Sequence, residues 1–348
     1  MHVVTVFQIV MVCFGIVGNV LSMAVWSRKS MRSSTGIYFF GHSFVNIGFL
    51  SSFFITHGIA DLLPNVALAS PYGAFFAYAG FPMCHIFAVC SIWFTVGVNV
   101  DRYMQVCWIN KAKKWCSLTK SLAHIGKIAA FGVVVNVPHF LMYEISPVEE
   151  RNATDVAYRL TSFGESGLAE AYDLWLHCLA LVVIPWILIF TLNILIILRV
   201  KDVGKKVFHN AMLHVREKTR RFENQLTGTL IFVSFTFLIL TLLQCASQCV
   251  YMMDKRKHVV YAELFSFAQL GLVLYTSVNF FLYCLSSKRF RVELQDLLCL
   301  RCCCKNSSIV ETFDDVPTEP EIDSAPASTA PEVGADADQS SSESGVFP

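Results

Sequence analysis

The chain has 348 residues, of which 55% are hydrophobic and 15% are charged, and its formal net charge is +1. Soluble domains carry about a quarter charged residues, so this composition excludes an ordinary soluble protein and indicates a membrane protein. The charge is unevenly divided, because every Lys and Arg lies at or before Lys305. All charged residues after Lys305 are acids. We therefore predict a basic membrane part, residues 1–300, and an acidic tail with a Cys cluster, residues 301–348.

Seven apolar runs follow one another in the membrane part. A helix needs about 20 predominantly apolar residues to cross the hydrocarbon core, and each run reaches that length. The predicted fold class is therefore an all-α membrane protein, a bundle of seven transmembrane helices. The first run starts almost at Met1 without a basic leader, so we expect a retained helix rather than a cleaved signal. The predicted spans lie at about 3–26, 36–60, 73–106, 122–143, 174–198, 224–253 and 261–285.

Few polar residues interrupt the first three spans. Asn19 and Asn46 are amides inside spans one and two, and each needs a hydrogen-bonding partner within the bundle. The third span carries no Lys, Arg, Asp or Glu until it ends in Asp101-Arg102-Tyr103, at the boundary between hydrocarbon and water. Taken alone, these three residues are explained by a helix-end ion pair whose arginine reaches toward the interface.

The outer loop and the tail carry further candidate sites. The longest outer loop, residues 145–172, holds an N-glycosylation sequon at Asn152. Residues 287–300 are amphipathic, which predicts an eighth helix lying along the interface. From Asn306 onward the chain is rich in Pro, Ser and acids and is predicted to be disordered. Juxtamembrane cysteines are typical of palmitoylation, with a metal cluster as the alternative, and the predicted sites are Cys302, Cys303 and Cys304.

Positive charge predicts the orientation of the bundle. The loops after spans one, three and five and the segment up to Lys305 hold most of the Lys and Arg residues, whereas the other loops hold few. The positive-inside rule places the first set in the cytoplasm, in spite of a short basic outer turn at 255–257. We expect a multi-pass plasma-membrane protein with its N-terminus outside and its C-terminus in the cytoplasm. Asp101-Arg102-Tyr103 then faces the cell interior.

In this topology the chain resembles the rhodopsin-like (class A) G-protein-coupled receptors over about residues 3–300. Within that family it is most similar to invertebrate neuropeptide receptors of the FMRFamide type, through the runs at 29–35, 136–140 and 278–284. The matches to the whole family are Gly18-Asn19, Asp101-Arg102-Tyr103, Pro185, Phe237, Asn279 and Tyr283.

The resemblance implies a receptor and not an enzyme. It would bind an extracellular ligand, expected to be a neuropeptide, and activate a heterotrimeric G protein, with no cofactor and no metal. Arrestin, a receptor kinase and membrane lipid are the further partners implied, and no nucleic acid is expected. The G-protein switch would comprise Asp101, Arg102 and Tyr103. A polar relay inside the bundle would comprise Asn19, Asn46, Asn279 and Tyr283.

Several positions depart from the pattern of that family. Asn46 replaces an Asp that helps to bind sodium, so we expect no sodium modulation, because a neutral amide lacks the charge that holds Na⁺. Ala77 stands at the place of an outer half-cystine and residues 145–172 contain no Cys, so the outer loop is either held by other means or loose. The hinge residues of the family, a Trp and two prolines, are replaced by Thr241, Leu243 and Phe280.

The ligand is constrained mainly by exclusion. Cys84 replaces the Asp with which amine receptors of the family pair an ammonium group, and Val273 replaces the Lys to which opsins attach retinal. Acids in the outer loop would attract a basic peptide, such as one ending in Arg-Phe-amide, although solvation alone is the commoner reason for such charges. The pocket candidates, each with simple packing between helices as the alternative, are Cys84, His85, Gln244, Gln248 and Gln269.

Other functional classes agree less well with the sequence. A membrane enzyme needs paired acids, a Ser/His pair or a metal cluster, and the spans contain almost no carboxylates. A transporter would tend to show repeated halves, and no internal repeat is visible. A chemosensory or orphan seven-helix receptor for a small molecule is the alternative function.

Overall fold

The computed structural model describes residues 3–146, 157–208, 214–242 and 258–298. The described residues are almost entirely helical, and six of their helical segments are long and apolar enough to cross a membrane. A seventh apolar stretch, Thr227–Leu240, is shorter, because the predicted sixth span continues past residue 242 and beyond the described part. The architecture predicted from the sequence, a seven-helix membrane bundle, is confirmed.

The first three spans are long helices because hydrocarbon leaves backbone polar groups no partner except one another. Span one is Val3–Trp26, and span two is Ser34–Phe53, which continues through a π-helical turn at Phe54–Gly58 into Ile59–Leu62. Span three comprises Ser70–Phe75, a π-helical turn at Phe76–Gly80 and Phe81–Cys107. Short helices at Lys29–Met31, Pro64–Ala67 and Ile109–Trp115 lie between or beside them.

Span four shows the effect that its proline predicts. Its α-helix, Leu118–Val135, stops before Pro138, and a 3-10 helix, Val137–Leu141, carries the proline. Proline lacks the N–H that an α-helix needs and disfavours helical backbone in the residue before it. The outer loop then forms two antiparallel strands, β1 (Tyr143–Ile145) and β2 (Tyr158–Leu160).

Spans five and six extend further toward the inner side than their apolar runs indicate. Span five comprises Gly167–Leu176, a π-helical turn at His177–Val183 and Ile184–Phe208. Span six is His214–Leu240 and span seven is His258–Ser286. The helices continue past the hydrocarbon-length runs because polar residues at a helix end are no obstacle once the backbone reaches water.

Glycines allow spans one and seven to approach closely. A Cβ atom at Gly18 would lie 2.9 Å from the Cβ of Phe280, and one at Gly15 would overlap the Ser277 hydroxyl. Close van der Waals packing between helices is a main source of association in a membrane, since lipid tails are as apolar as the side chains. This close approach brings the polar residues of span one next to span seven.

The predicted amphipathic segment forms a helix at Lys288–Leu297. Ser287 caps it, because its hydroxyl accepts a hydrogen bond from the Phe290 amide at 3.2 Å. Phe290 is buried against Trp26, and Arg28 forms an ion pair with Glu293 at 2.8 Å. These contacts hold the helix beside the inner end of span one, while its placement along a membrane surface stays a prediction.

Candidate functional site

The Asp101 carboxylate lies at the inner end of span three and is 6% exposed. It accepts hydrogen bonds from the Ser34 hydroxyl, from Thr35 Oγ1 at 2.7 Å and from Gln105 Nε2 at 2.8 Å. Ser34 also contacts Ser121 Oγ at 2.7 Å, which adds span four to the group. The Asp101 carboxylate therefore links the inner end of span three directly to span two and, through Ser34, to span four.

Arg102 and Tyr103, the other two residues of the predicted switch, have different surroundings. Arg102 is 1% exposed, so a guanidinium is enclosed at the inner end of the bundle, whereas Tyr103 is half-buried beside Trp108. The Cys116 thiol lies nearby, with its sulfur 3.8 Å from the Asp101 carbonyl oxygen. Burial and then the negative charge of Asp101 raise the pKa of Cys116 to about 12, so this thiol stays protonated.

Two members of the predicted polar relay are directly joined. The Asn46 amide donates to Asn19 Oδ1 at 3.2 Å, and Asn19 donates in turn to the Thr276 carbonyl oxygen of span seven at 2.9 Å. Asn46 Oδ1 accepts from Ser91 of span three at 2.6 Å. Four spans thus meet at one amide pair, which contains no carboxylate.

The chain of hydrogen bonds continues through residues that the sequence analysis did not select. His42 Nε2 lies 3.3 Å from Ser91 Oγ and 3.1 Å from the Tyr275 hydroxyl, which also contacts the Thr95 hydroxyl. All of these side chains are buried. A histidine inside an otherwise apolar span is the sequence signal that could have identified this position. We call the group Asn19, Asn46, Ser91, His42, Tyr275 and Thr95 the polar core.

Asn279 and Tyr283, the other two predicted relay members, lie outside the polar core. Both are fully buried, and neither the Asn279 amide nor the Tyr283 hydroxyl has a hydrogen-bond partner among the residues that the structure describes. Tyr283 instead packs among aromatic rings, at 5.0 Å from Phe39 and 5.5 Å from Phe290 between ring centres. A second polar link, between Asn99 and Ser234 at 3.0 Å, joins spans three and six.

Three of the five pocket candidates lie in the described part of the chain. Cys84 is a free, buried cysteine packed in the apolar core. His85 is half-buried, and Gln269, near the outer part of span seven, is also half-buried. Gln244 and Gln248 lie outside the described residues, as do Asn152 and the three cysteines Cys302, Cys303 and Cys304.

Two histidines and an acid lie where the outer ends of spans three, four and five meet. The sequence did not predict that these side chains are in contact. His139 is fully buried, and its Nε2 lies 3.2 Å from Asp173 Oδ1. The ring of His85 stacks on that of His139, with centres 4.4 Å apart. The Tyr172 hydroxyl donates to the Val135 carbonyl oxygen and lies 3.5 Å from His139 Nδ1.

The outer strands are fastened to span three by aromatic rings, which we call the aromatic clasp: Phe76, Phe81, Tyr143 and Tyr158. Phe76 stacks on Tyr158 with ring centres 3.7 Å apart and meets Tyr143 edge-on at 5.3 Å. Burial is the main cause that raises the pKa of both tyrosines, which remain neutral phenols. The Ala157 amide donates to the Ala67 carbonyl oxygen at 3.1 Å, so backbone contacts support the clasp. Ring contacts and backbone hydrogen bonds, and not a disulfide, therefore hold the described strands of this loop.

Comparison with known proteins agrees with this architecture. The family model of the 7 transmembrane receptor (rhodopsin family) matches residues 18–290. Similar proteins include the "FMRFamide receptor" of Drosophila melanogaster, 23% identical over 292 residues, which are 80% of this chain and 50% of that one. The "Sex peptide receptor" of Drosophila melanogaster is 25% identical over 324 residues, 84% of this chain and 72% of that one.

A nematode protein shows the same degree of likeness. The "Probable G-protein coupled receptor frpr-1" of Caenorhabditis elegans is 22% identical over 308 residues, 81% of this chain and 75% of that one. The match to the fly FMRFamide receptor spans about half of that protein's length. Because the family model covers most of the chain and the described helices have its architecture, the chain belongs to the rhodopsin family of seven-transmembrane receptors.

Proposed function

We propose that this receptor binds an extracellular neuropeptide and activates a heterotrimeric G protein at the plasma membrane. The observation that carries the proposal is the enclosed pair of Asp101 and Arg102 at the end of span three, in a chain of the rhodopsin family. Relatives named as receptors for FMRFamide and for sex peptide support a peptide as the ligand.

The proposed switch works through a population shift. In the resting form the Asp101 carboxylate is fastened to the hydroxyls of Ser34 and Thr35, and Arg102 is enclosed beside it. A ligand that binds an alternative arrangement of the outer ends more tightly favours that arrangement at the inner ends as well. Arg102 then becomes accessible from the cytoplasm, where a helix of the G protein docks.

The polar core is the proposed connection between the two ends of the bundle. Its hydrogen bonds join spans one, two, three and seven in the middle of the membrane, where each bond is hard to replace because water is absent. Movement of span seven relative to span three has to break or exchange the contacts of Tyr275. The ligand signal is therefore transmitted as a change of partners within this group.

We extend the proposal to the features that the family implies and that lie outside the described part of the chain. The N-terminus and Asn152 are extracellular, Asn152 carries a glycan, and the C-terminus is cytoplasmic. Cys302, Cys303 and Cys304 carry acyl chains that anchor the last helix to membrane lipid. Serines of the acidic tail are substrates of a receptor kinase, and the phosphorylated tail binds arrestin.

The test of this function is nucleotide exchange on a G protein, stimulated by a panel of amidated peptides in cells that carry the receptor. Arg102→Ala should abolish stimulated exchange while surface expression and peptide binding are retained. The matched control is Arg32→Ala, an exposed arginine of the first inner loop. Undiminished exchange in Arg102→Ala rejects the switch, and a response to small molecules alone would favour a chemosensory receptor.

A further inference from the structure

A pair of buried polar side chains joins span three to span six in the inner half of the bundle. The Asn99 amide donates to Ser234 Oγ at 3.0 Å, and the Ser234 hydroxyl donates to Asn99 Oδ1 at 3.2 Å. Neither side chain is exposed. In hydrocarbon no water replaces a lost partner, so each member of the pair depends on the other helix for this contact.

The pair lies on the same face of span three as Arg102. Residues three apart in an α-helix are neighbours on one face, so Arg102 follows Asn99 by about 4.5 Å toward the inner end. In the described part of the chain, span six packs more extensively against span seven than against span three, which makes the polar pair a main connection of spans three and six. Separation of span six from this face breaks the pair and uncovers the enclosed Arg102 in one movement.

Two routes connect the pair to the polar core. The Asn99 amide also donates to the Thr95 carbonyl oxygen at 2.8 Å, and the Thr95 hydroxyl contacts that of Tyr275. On span six, Phe237 lies one turn from Ser234 and meets the Tyr275 ring edge-on, with ring centres 5.0 Å apart. A change of partners at Tyr275 consequently reaches both members of the pair.

We propose that Asn99 and Ser234 form a latch that holds the receptor in its resting arrangement, and that the signal from the polar core releases this latch. The inference rests on the proposed function, because it names the contact that keeps Arg102 enclosed until a ligand binds. A contact that exists in only one of two arrangements stabilises that arrangement, so its loss shifts the population toward the other. Asn99 and Ser234 are enclosed within the bundle and act by positioning span six, without contact with a peptide.

The first measurement is nucleotide exchange on a G protein without any peptide, in cells that carry the whole chain. Ser234→Ala deletes one oxygen atom and should raise this ligand-independent exchange about three- to tenfold at equal surface expression, because hydrogen bonds between membrane helices are of modest strength. Asn99→Ala should act in the same direction. A damaged fold would lower exchange, so a gain separates the latch from a merely structural role.

The matched control is Thr236→Ala, on the same helix as Ser234. Its hydroxyl donates to the Phe232 carbonyl oxygen of its own helix at 2.9 Å, so ligand-independent exchange should stay unchanged. Because Asn99 and Ser234 form one contact, replacing both by Ala should not exceed the larger single effect by more than about twofold. If the two effects multiply instead, the residues act separately and the latch is overturned.

A second measurement does not depend on a G protein. Gly126 of span four and Gly228 of span six are exposed, and a Cβ at either position would meet no atom within 4 Å, so both positions can carry a spin label on a non-natural amino acid. The distance between the two labels is measured in purified receptor by electron–electron double resonance. Ser234→Ala should show a second, longer distance whose population is much smaller in the unchanged receptor.

The failure of the latch and the failure of the proposed function are distinguishable. If Ser234→Ala lengthens the distance but no receptor promotes exchange on any G protein of a panel, with or without amidated peptides, the latch stands and the proposed function is wrong. If amidated peptides stimulate exchange on the unchanged receptor while Ser234→Ala alters neither ligand-independent exchange nor the distance, the function stands and the latch is overturned. Should Asn99→Ala fail to reach the cell surface, Ser234→Ala alone decides between these results.

Discussion

His42 connects three spans through a single ring nitrogen. The Ser91 hydroxyl donates its hydrogen bond to Asn46 Oδ1. The Ser91 oxygen therefore acts as an acceptor toward His42 Nε2, which lies 3.3 Å away. His42 Nε2 consequently carries the hydrogen. The same nitrogen lies 3.1 Å from the Tyr275 hydroxyl, whose contact with Thr95 completes the group. Hydrogen-bond donors and acceptors without a carboxylate therefore occupy the position where the resemblance places a sodium-binding acid, and the loss of sodium modulation stays a prediction.

Replacing His42 by Phe should destabilise the bundle. A phenyl ring has a similar shape but no donor, so the oxygen atoms of Ser91 and Tyr275 lose a partner in a region without water. We expect a loss of about 1–2 kcal/mol, seen as a lower midpoint of thermal unfolding in detergent with a thiol-reactive dye. His124→Phe, in a half-buried position of span four, is the matched control. Equal midpoints for the two variants would exclude a structural role of the polar core at His42.

At the scale of elements, the aromatic clasp takes the place of a disulfide. The described strands contain no Cys, and residue 77, where the family has a half-cystine, is a buried Ala. Phe76 lies one position before it and stacks on Tyr158, while a Cβ at Gly73 would overlap the Ala157 carbonyl oxygen. The outer part of span three therefore packs directly against the outer strands, with small and flat side chains at the contact.

Phe76→Ala should loosen the outer strands without unfolding the bundle. The change removes ring contacts with Tyr158 and Tyr143, and each such pair contributes about 0.5–1.5 kcal/mol. We expect hydrogen exchange at the Ala157 amide to become about tenfold faster and peptide dissociation to accelerate with it. Tyr78→Ala removes a ring that is 54% exposed in the same turn and serves as the control.

Two results would contradict this account of the outer strands. Unchanged exchange at Ala157 in Phe76→Ala would show that backbone contacts alone hold the strands. A loss of peptide binding on treatment of the unchanged receptor with a reducing agent would show that a covalent link is essential.

At the scale of the whole molecule, charge and hydropathy together predict which end of the bundle faces the cytoplasm. The loop residues Arg28, Lys29 and Arg32 after span one and the basic loop after span three lie at the same end of the bundle as the helix Lys288–Leu297. Cytoplasmic loops carry an excess of such residues. The Asp101 site lies at this end, which the proposed topology places on the cytoplasmic side.

Epitope tags test this sidedness directly. An N-terminal tag should bind antibody on intact cells, whereas a C-terminal tag should do so only after the membrane is made permeable, because seven spans place the termini on opposite sides. A tag inserted between residues 210 and 211, after the helix that ends at Phe208, should behave like the C-terminal one. Access to both termini from one side of intact cells would contradict the topology and, with it, the proposed signalling.

Much of this receptor followed from the sequence because its signals are local. Hydropathy over about 20 residues identifies a span, and the sign of loop charges orients it, whatever the partners of each helix are. The end of the span-four helix before Pro138 is equally local, since it depends on one missing N–H. The likeness to the rhodopsin family likewise rested on short runs of residues.

Only the tertiary structure decided which polar groups meet. Asn19 and Asn46 are in contact, whereas Asn279 and Tyr283 lie in other surroundings. For His42, Tyr275 and Asp173 the sequence could name no partner. Contacts such as His139 with Asp173 join different helices, and their formation depends on the rotation and depth of each helix. In a membrane, the rotation and depth of each helix are determined by close packing around small residues. No single apolar run encodes that packing.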